Sequence, residues 1–232
     1  MRGVMVCVVA AFGWGSGGCG SGKGTADATM VADSAGDPDA AGCQPRTLLT
    51  GGTDIAPQGW TTVMRAPAQV TYGADYVHLQ TSTTAGASTG GQLLLHDPGG
   101  LETGKPFKLQ VVMLVEAVDP HNQFDSAAAI MGSFTPPFGT SNERDQMIYL
   151  DSGKVGWADG AQSFSVPVTD SAYHTYELSV DAGNVARLSV DGMSALMRPG
   201  FVGNGAIAIG DQTNEPNIDS GLRIRSVTKL CP

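Results

Sequence analysis

Residues 173–192, YHTYELSVDAGNVARLSVDG, constrain the fold of this chain more than any other stretch. Tyr176, Leu178 and Val180 alternate with Glu177, Ser179 and Asp181, and further on Ala186, Leu188 and Val190 alternate with Val185, Arg187 and Ser189. A period of two is that of a strand with one apolar and one wet face. Between the two runs, Ala182-Gly183-Asn184 supplies a turn. A hairpin closed there sets Val180 opposite Ala186, Leu178 opposite Leu188 and Tyr176 opposite Val190, with Glu177 and Arg187 diagonal on the solvent face.

The rest of the chain reads as more of the same. Trp60 enters a core ahead of a strand at 61–64, and 69–72 pairs with 76–80 around Gly73-Ala74-Asp75. A strand at 92–95 follows a Gly-rich turn. Residues 107–119, FKLQVVMLVEAVD, form the longest strand candidate; apolar residues on both faces at its middle predict a central strand covered on both sides. Strands at 127–134 and 146–150 precede a second hairpin through Asp151-Ser152-Gly153 into Val155-Gly156-Trp157. The closing strands are 205–210, GAIAIG, and 222–230, LRIRSVTKL. No window of helical periodicity competes, and 32 glycines among 232 residues favour many short strands.

The His-Thr-Tyr lead-in at 174–176, the Gly-Asn turn at 183–184, the Asp191-Gly192 turn and the short GAIAIGD strand resemble the late strands of concanavalin A-like (laminin-G-like) domains. The resemblance covers roughly residues 60–230 and implies an all-β, antiparallel two-sheet jelly-roll sandwich. Such folds place first and last strands side by side, so the resemblance implies a disulfide between Cys43 and Cys231 at the two ends of the domain; two unrelated thiols are the alternative.

Ahead of the domain, residues 1–18 have one basic residue, Arg2, an apolar run from Val4 to Trp14 and then small residues before Cys19. The run is too short to span a bilayer and reads as an export signal. Gly17-Gly18-Cys19 resembles a bacterial lipobox, with Ser16 where that pattern has Leu; it implies lipidation of Cys19, the alternative being an ordinary signal peptide cut near Gly18. Residues 19–42 are small, polar and acidic with no aromatic residue, and are expected to be a disordered tether before a domain at 43–232. The expected location is a bacterial cell envelope, with membrane contact through the lipid anchor only. A formal net charge of -9 leaves no basic stripe for nucleic acid.

Catalytic chemistry is hard to find. None of the five glutamates begins the Glu-x-Asp-x-x-Glu pattern of the endoglucanase branch of this fold, and Glu143-Arg144-Asp145 reads as a solvated charge cluster. The G-x-S-x-G string at 86–90 has no helix after it, and the four histidines lack zinc spacing. Trp157, near a hairpin end, is the candidate to stack on a sugar, with Tyr149, Arg144 and Asp159 as neighbours; the alternative is that Trp157 caps the core. Asp211, Asn214, Asn217 and Asp219 offer the mixed oxygens that calcium takes, unless they are simply turn formers, and residues 121–125 are a weaker second candidate. The function expected is a non-catalytic module that binds glycan or another surface polymer. The alternative is a divergent polysaccharide hydrolase or lyase.

Overall fold

The computed structural model describes residues 43–81 and 90–232. The export signal, Cys19 and the tether all lie outside the described residues, as do residues 86–89 of the G-x-S-x-G string. In chain order the strands are β1 (Arg46–Thr50), β2 (Thr61–Arg65), β3 (Gln69–Tyr72), β4 (Val77–Gln80), β5 (Gln92–Asp97), β6 (Phe107–Val118), β7 (Ala129–Met131), β8 (Ile148–Asp151), β9 (Lys154–Trp157), β10 (Ser163–Ser165), β11 (His174–Val180), β12 (Ala186–Val190), β13 (Met193–Arg198), β14 (Ile207–Asp211) and β15 (Ser220–Leu230). A short helix, α1 (Ser141–Asp145), and one 3-10 turn, Ala56–Gln58, are the helical elements among the described residues.

All pairings between these strands are antiparallel. They make an eight-stranded sheet in the order β13-β12-β11-β6-β15-β4-β3, with β1 also on β15, and a seven-stranded sheet in the order β10-β9-β8-β7-β14-β5-β2. The chain switches sheets at β1–β2–β3, along β4–β5–β6–β7, at β10–β11 and again at β13–β14–β15, so each sheet is stitched from distant segments. The 173–192 hairpin has the expected register, with Tyr176 opposite Val190, Leu178 opposite Leu188 and Val180 opposite Ala186. On its wet face Glu177 pairs with Lys108 at 2.8 Å and Arg187 with Asp181 at 2.7 Å.

β6 is central as expected, between β11 and β15, but its two faces differ. Leu109, Val111, Met113 and Val115 are fully buried between the sheets, whereas Val112 and Leu114 are half-buried on the outside, where no second layer of the described residues covers them. The inter-sheet core also takes Trp60, whose indole Nε1 donates to the Leu48 carbonyl at 2.8 Å. A smaller apolar cluster lies outside the seven-stranded sheet: Leu94, Ala129, Met131 and Ala208 on the strands are covered by Phe134, Met147 and Ala158. Cys43 and Cys231 form the expected disulfide, with Cα atoms 5.7 Å apart across a separation of 188 residues. It sits just beyond the β1–β15 pairing and ties the ends of the domain together.

Candidate functional site

Period-two geometry sends Trp157 and Tyr149 to opposite faces of the β8–β9 hairpin. Trp157 pairs with Ile148 and Tyr149 with Gly156. Ile148, Val155 and Trp157 belong to the inter-sheet core, and Trp157 is 0% exposed. The expectation of a solvent-facing indole is therefore corrected: this ring packs in the core, with the Arg198 guanidinium 5.2 Å from its centroid.

Its expected neighbours do not converge on one another either. Tyr149 faces outward but is 3% exposed, because the His121 ring stacks on it with centroids 3.5 Å apart. His121 is held in place by Asp151, which accepts from its backbone N–H and lies 2.9 Å from Nδ1. Arg144 is turned toward residues 124 and 125, donating to the Phe124 carbonyl and to Asp125 at 2.9 Å. Asp159 is occupied at the sheet edge by Arg198, 3.2 Å away.

Glu143 is also not the solvated residue its neighbours suggested. It is 7% exposed and accepts from the backbone N–H of Thr140 and Thr135, the hydroxyls of Thr135 and Ser133, and the Asn204 amide. Thr140 returns a bond by accepting from the Glu143 N–H, which makes a capping box at the start of α1. The sequence signal was present as Thr-Ser-Asn-Glu at 140–143. This buried network pins the chain from 133 to 147 over the outer face of the seven-stranded sheet, so the middle of that face is closed by protein.

The 211–220 loop spreads its expected calcium ligands over different environments. Asp211 and Asp219 are buried, Asn214 is half-buried and Asn217 is exposed with φ of 67°, a turn conformation. Among the described residues, no three His, Cys, Asp or Glu side chains are grouped so as to hold a metal ion. Asp211 is 1% exposed, and its Oδ1 accepts from the Thr213 N–H at 3.1 Å. Burial first, and then the Asp219 and Asp119 charges, push its carboxyl well above the usual range.

Of the large apolar side chains exposed among the described residues, one is aromatic: Tyr72, at 45%. It lies where the sandwich opens. β2 and β3 end the two sheets on the same side, one in each. Thr62 and Met64 pair with the core residues Leu95 and Leu93, and Val70 and Tyr72 pair with Leu79 and Val77. All four thus point into the space between the sheets, yet Met64 is 55% exposed. The resulting groove is lined by Ile55, Thr62, Met64, Ala68, Gln69, Val70 and Tyr72. At its rim the Tyr72 hydroxyl donates to Asp54 at 3.3 Å. The opposite edge is bridged, since the Met197 N–H donates to the Gln162 side chain at 2.7 Å and Arg198 reaches both Asp159 and the Asp145 carbonyl.

No family model matches this sequence, and no curated protein matches it. Solved structures do. The carbohydrate esterase vb_24B_21 of the Shiga toxin-encoding bacteriophage phi24B superposes with a TM-score of 0.52 at 16% identity, over 82% of this chain and 100% of that one. The exoplasmic/lumenal domain of VIP36, in its Ca2+/Man-bound form, gives 0.53 at 11% identity over 79% and 88%. The carbohydrate recognition domain of Emp46p in a metal-free form gives 0.50 at 12% identity over 82% and 96%. The fold is a lectin-like jelly roll. At these identities the likeness establishes architecture, and the expected concanavalin A-like sandwich is the observed one.

Proposed function

We propose that the protein is a non-catalytic glycan-binding module, carried on an exported lipoprotein whose Cys19 is lipidated and whose residues 20–42 hold the domain away from a bacterial envelope membrane. The observation that carries the binding reading is the shared fold. The neighbours include a mannose-bound domain and a carbohydrate recognition domain, and this chain keeps both sheets of that architecture. The disulfide fits an oxidising compartment outside the cytosol.

A second reading is an enzyme acting on polysaccharide, and one neighbour is described as a carbohydrate esterase. It draws on His121, whose Nδ1 is held by the Asp151 carboxylate as an orienting acid holds a general base. Tyr149 stacked beneath that ring gives the same pair a structural role, which the binding reading takes.

Affinity gel electrophoresis of the full chain through a panel of neutral and acidic polysaccharides tests the two readings together. Binding predicts retardation by at least one polymer, with no new reducing ends and no acid released from acetylated polymers after long incubation. Release of either that is lost in His121→Ala would establish the enzyme instead. For the anchor, Cys19→Ser should abolish labelled-palmitate incorporation in a bacterial host; incorporation that persists would refute it.

A further inference from the structure

We propose that the groove between β2 and β3 is the subsite that holds a neutral sugar, an assignment that rests on the glycan-binding reading. Its first support is an anomaly of burial. In a closed sandwich, residues that pair with core positions are themselves buried, as Leu93, Leu95, Val77 and Leu79 are. Their partners Met64 and Tyr72 face the same way and remain about half in water. The two sheets have parted at this edge far enough to leave a ring and a thioether standing at the mouth of the core.

The chemistry of the lining selects the occupant. Ile55, Ala68 and Val70 give an apolar floor, and Met64 and Tyr72 give apolar walls. Thr62, Gln69 and, behind the tyrosine hydroxyl, Asp54 supply a hydroxyl, an amide and a carboxylate at the rim. A sugar presents apolar C–H faces edged by hydroxyls, and matches an aromatic side chain flanked by neutral donors and acceptors. An acyl chain would leave the rim groups without partners. Neither Lys nor Arg lines the groove, so a phosphate or a uronic acid would meet the Asp54 carboxylate without a counter-charge.

The competing positions are weaker on the same grounds. Trp157 and Tyr149 are buried. The middle of the outer face of the seven-stranded sheet is covered by the 133–147 chain and its Glu143 network. On the outer face of the eight-stranded sheet, Tyr173 lies against Arg225 at 3.8 Å and Tyr76 against Arg223 at 4.8 Å, so guanidinium groups already occupy those ring faces.

Tyr72→Ala, Tyr72→Leu and Gln69→Ala are to be compared with the wild-type full chain by affinity electrophoresis in mannan, levan, starch, xylan and polygalacturonate, with thermal unfolding of each variant. The leucine variant keeps the apolar fill of the wall without the ring. We expect retardation by one or more of the four neutral polymers and not by polygalacturonate. We also expect a loss of at least about tenfold in affinity in both Tyr72 variants with the melting temperature nearly unchanged. Neutral-polymer binding that survives in Tyr72→Leu and Gln69→Ala would overturn the groove while leaving the glycan-binding reading intact. Retardation by polygalacturonate alone would overturn the neutral-sugar assignment. No retardation by any polymer would overturn the assignment and the reading together.

Discussion

Trp157 gives up solvent on every side and its Nε1 finds no acceptor, so what holds the indole is packing against Ile148, Val155 and the rest of the inter-sheet core. Trp157→Ala should therefore unfold the domain more easily by about 3 to 5 kcal/mol, read by denaturant titration; a change below about 1 kcal/mol would mean that the ring is not the core element it is taken for. The sequence held the clue to this placement. In Lys154-Val155-Gly156-Trp157 the period of two puts Trp157 on the same face as Val155. His174 is a different case, since nothing at sequence level shows that Asp191 lies 2.6 Å from Nδ1 and Asp170 3.0 Å from Nε2. Burial by itself would lower its pKa, but the bonds to Asp191 and Asp170 outweigh it and raise the pKa above the ordinary value, while both carboxylates are lowered. A raised histidine contributes stability in full below its unfolded value of about 6.5 and loses it as pH climbs through the folded value. The partner carboxylates contribute above about pH 4 and lose their share as pH falls. The melting-temperature gap between wild type and His174→Gln should then be widest at about pH 5.5 and narrow on the alkaline side; a gap independent of pH would show that the imidazole is not charged in the folded state.

At the scale of elements, hairpins were the legible part and edges were not. Strands β11 and β12, β8 and β9, and β3 and β4 pair locally, and local alternation with a turn between is all that is needed to place them. That β2 and β3 are both outermost depends on pairings of β2 with β5 and of β4 with β15, which no local pattern encodes. The groove that follows from that fact was invisible for the same reason. Helix α1 was missed because five residues are too few to show a period, although the capping box at Thr140 and Glu143 marks its start. The 211–220 loop carries a prediction at this scale. Among the described residues no three His, Cys, Asp or Glu side chains are grouped to hold an ion, and Asp211 is buried. Neither calcium nor a chelator should move the melting temperature of the full chain; a rise of several degrees with calcium would show that the loop closes on an ion.

At the largest scale, the described domain joins a closed core, a disulfide that fastens the first and last strands, and an open side between β2 and β3. The disulfide was readable because the resemblance to a jelly roll puts β1 beside β15, and the structure pairs Arg46 with Lys229 just inside it. The function was less readable, because the sugar-binding reading comes from architecture shared at 11 to 16% identity and the groove comes from tertiary packing. Five methionines of the described residues make the decisive measurement direct, since they sit in different places. Met64 stands in the groove, Met131 and Met147 pack together in the buried cluster outside the seven-stranded sheet, and Met193 and Met197 are exposed on the opposite edge. Methyl spectra of methionine-labelled full-length protein, titrated with oligosaccharide from whichever neutral polymer retards it, should show the Met64 signal shifting to saturation while the other four stay in place. A Met64 signal that does not move, while Met131, Met147, Met193 or Met197 does, would contradict the account.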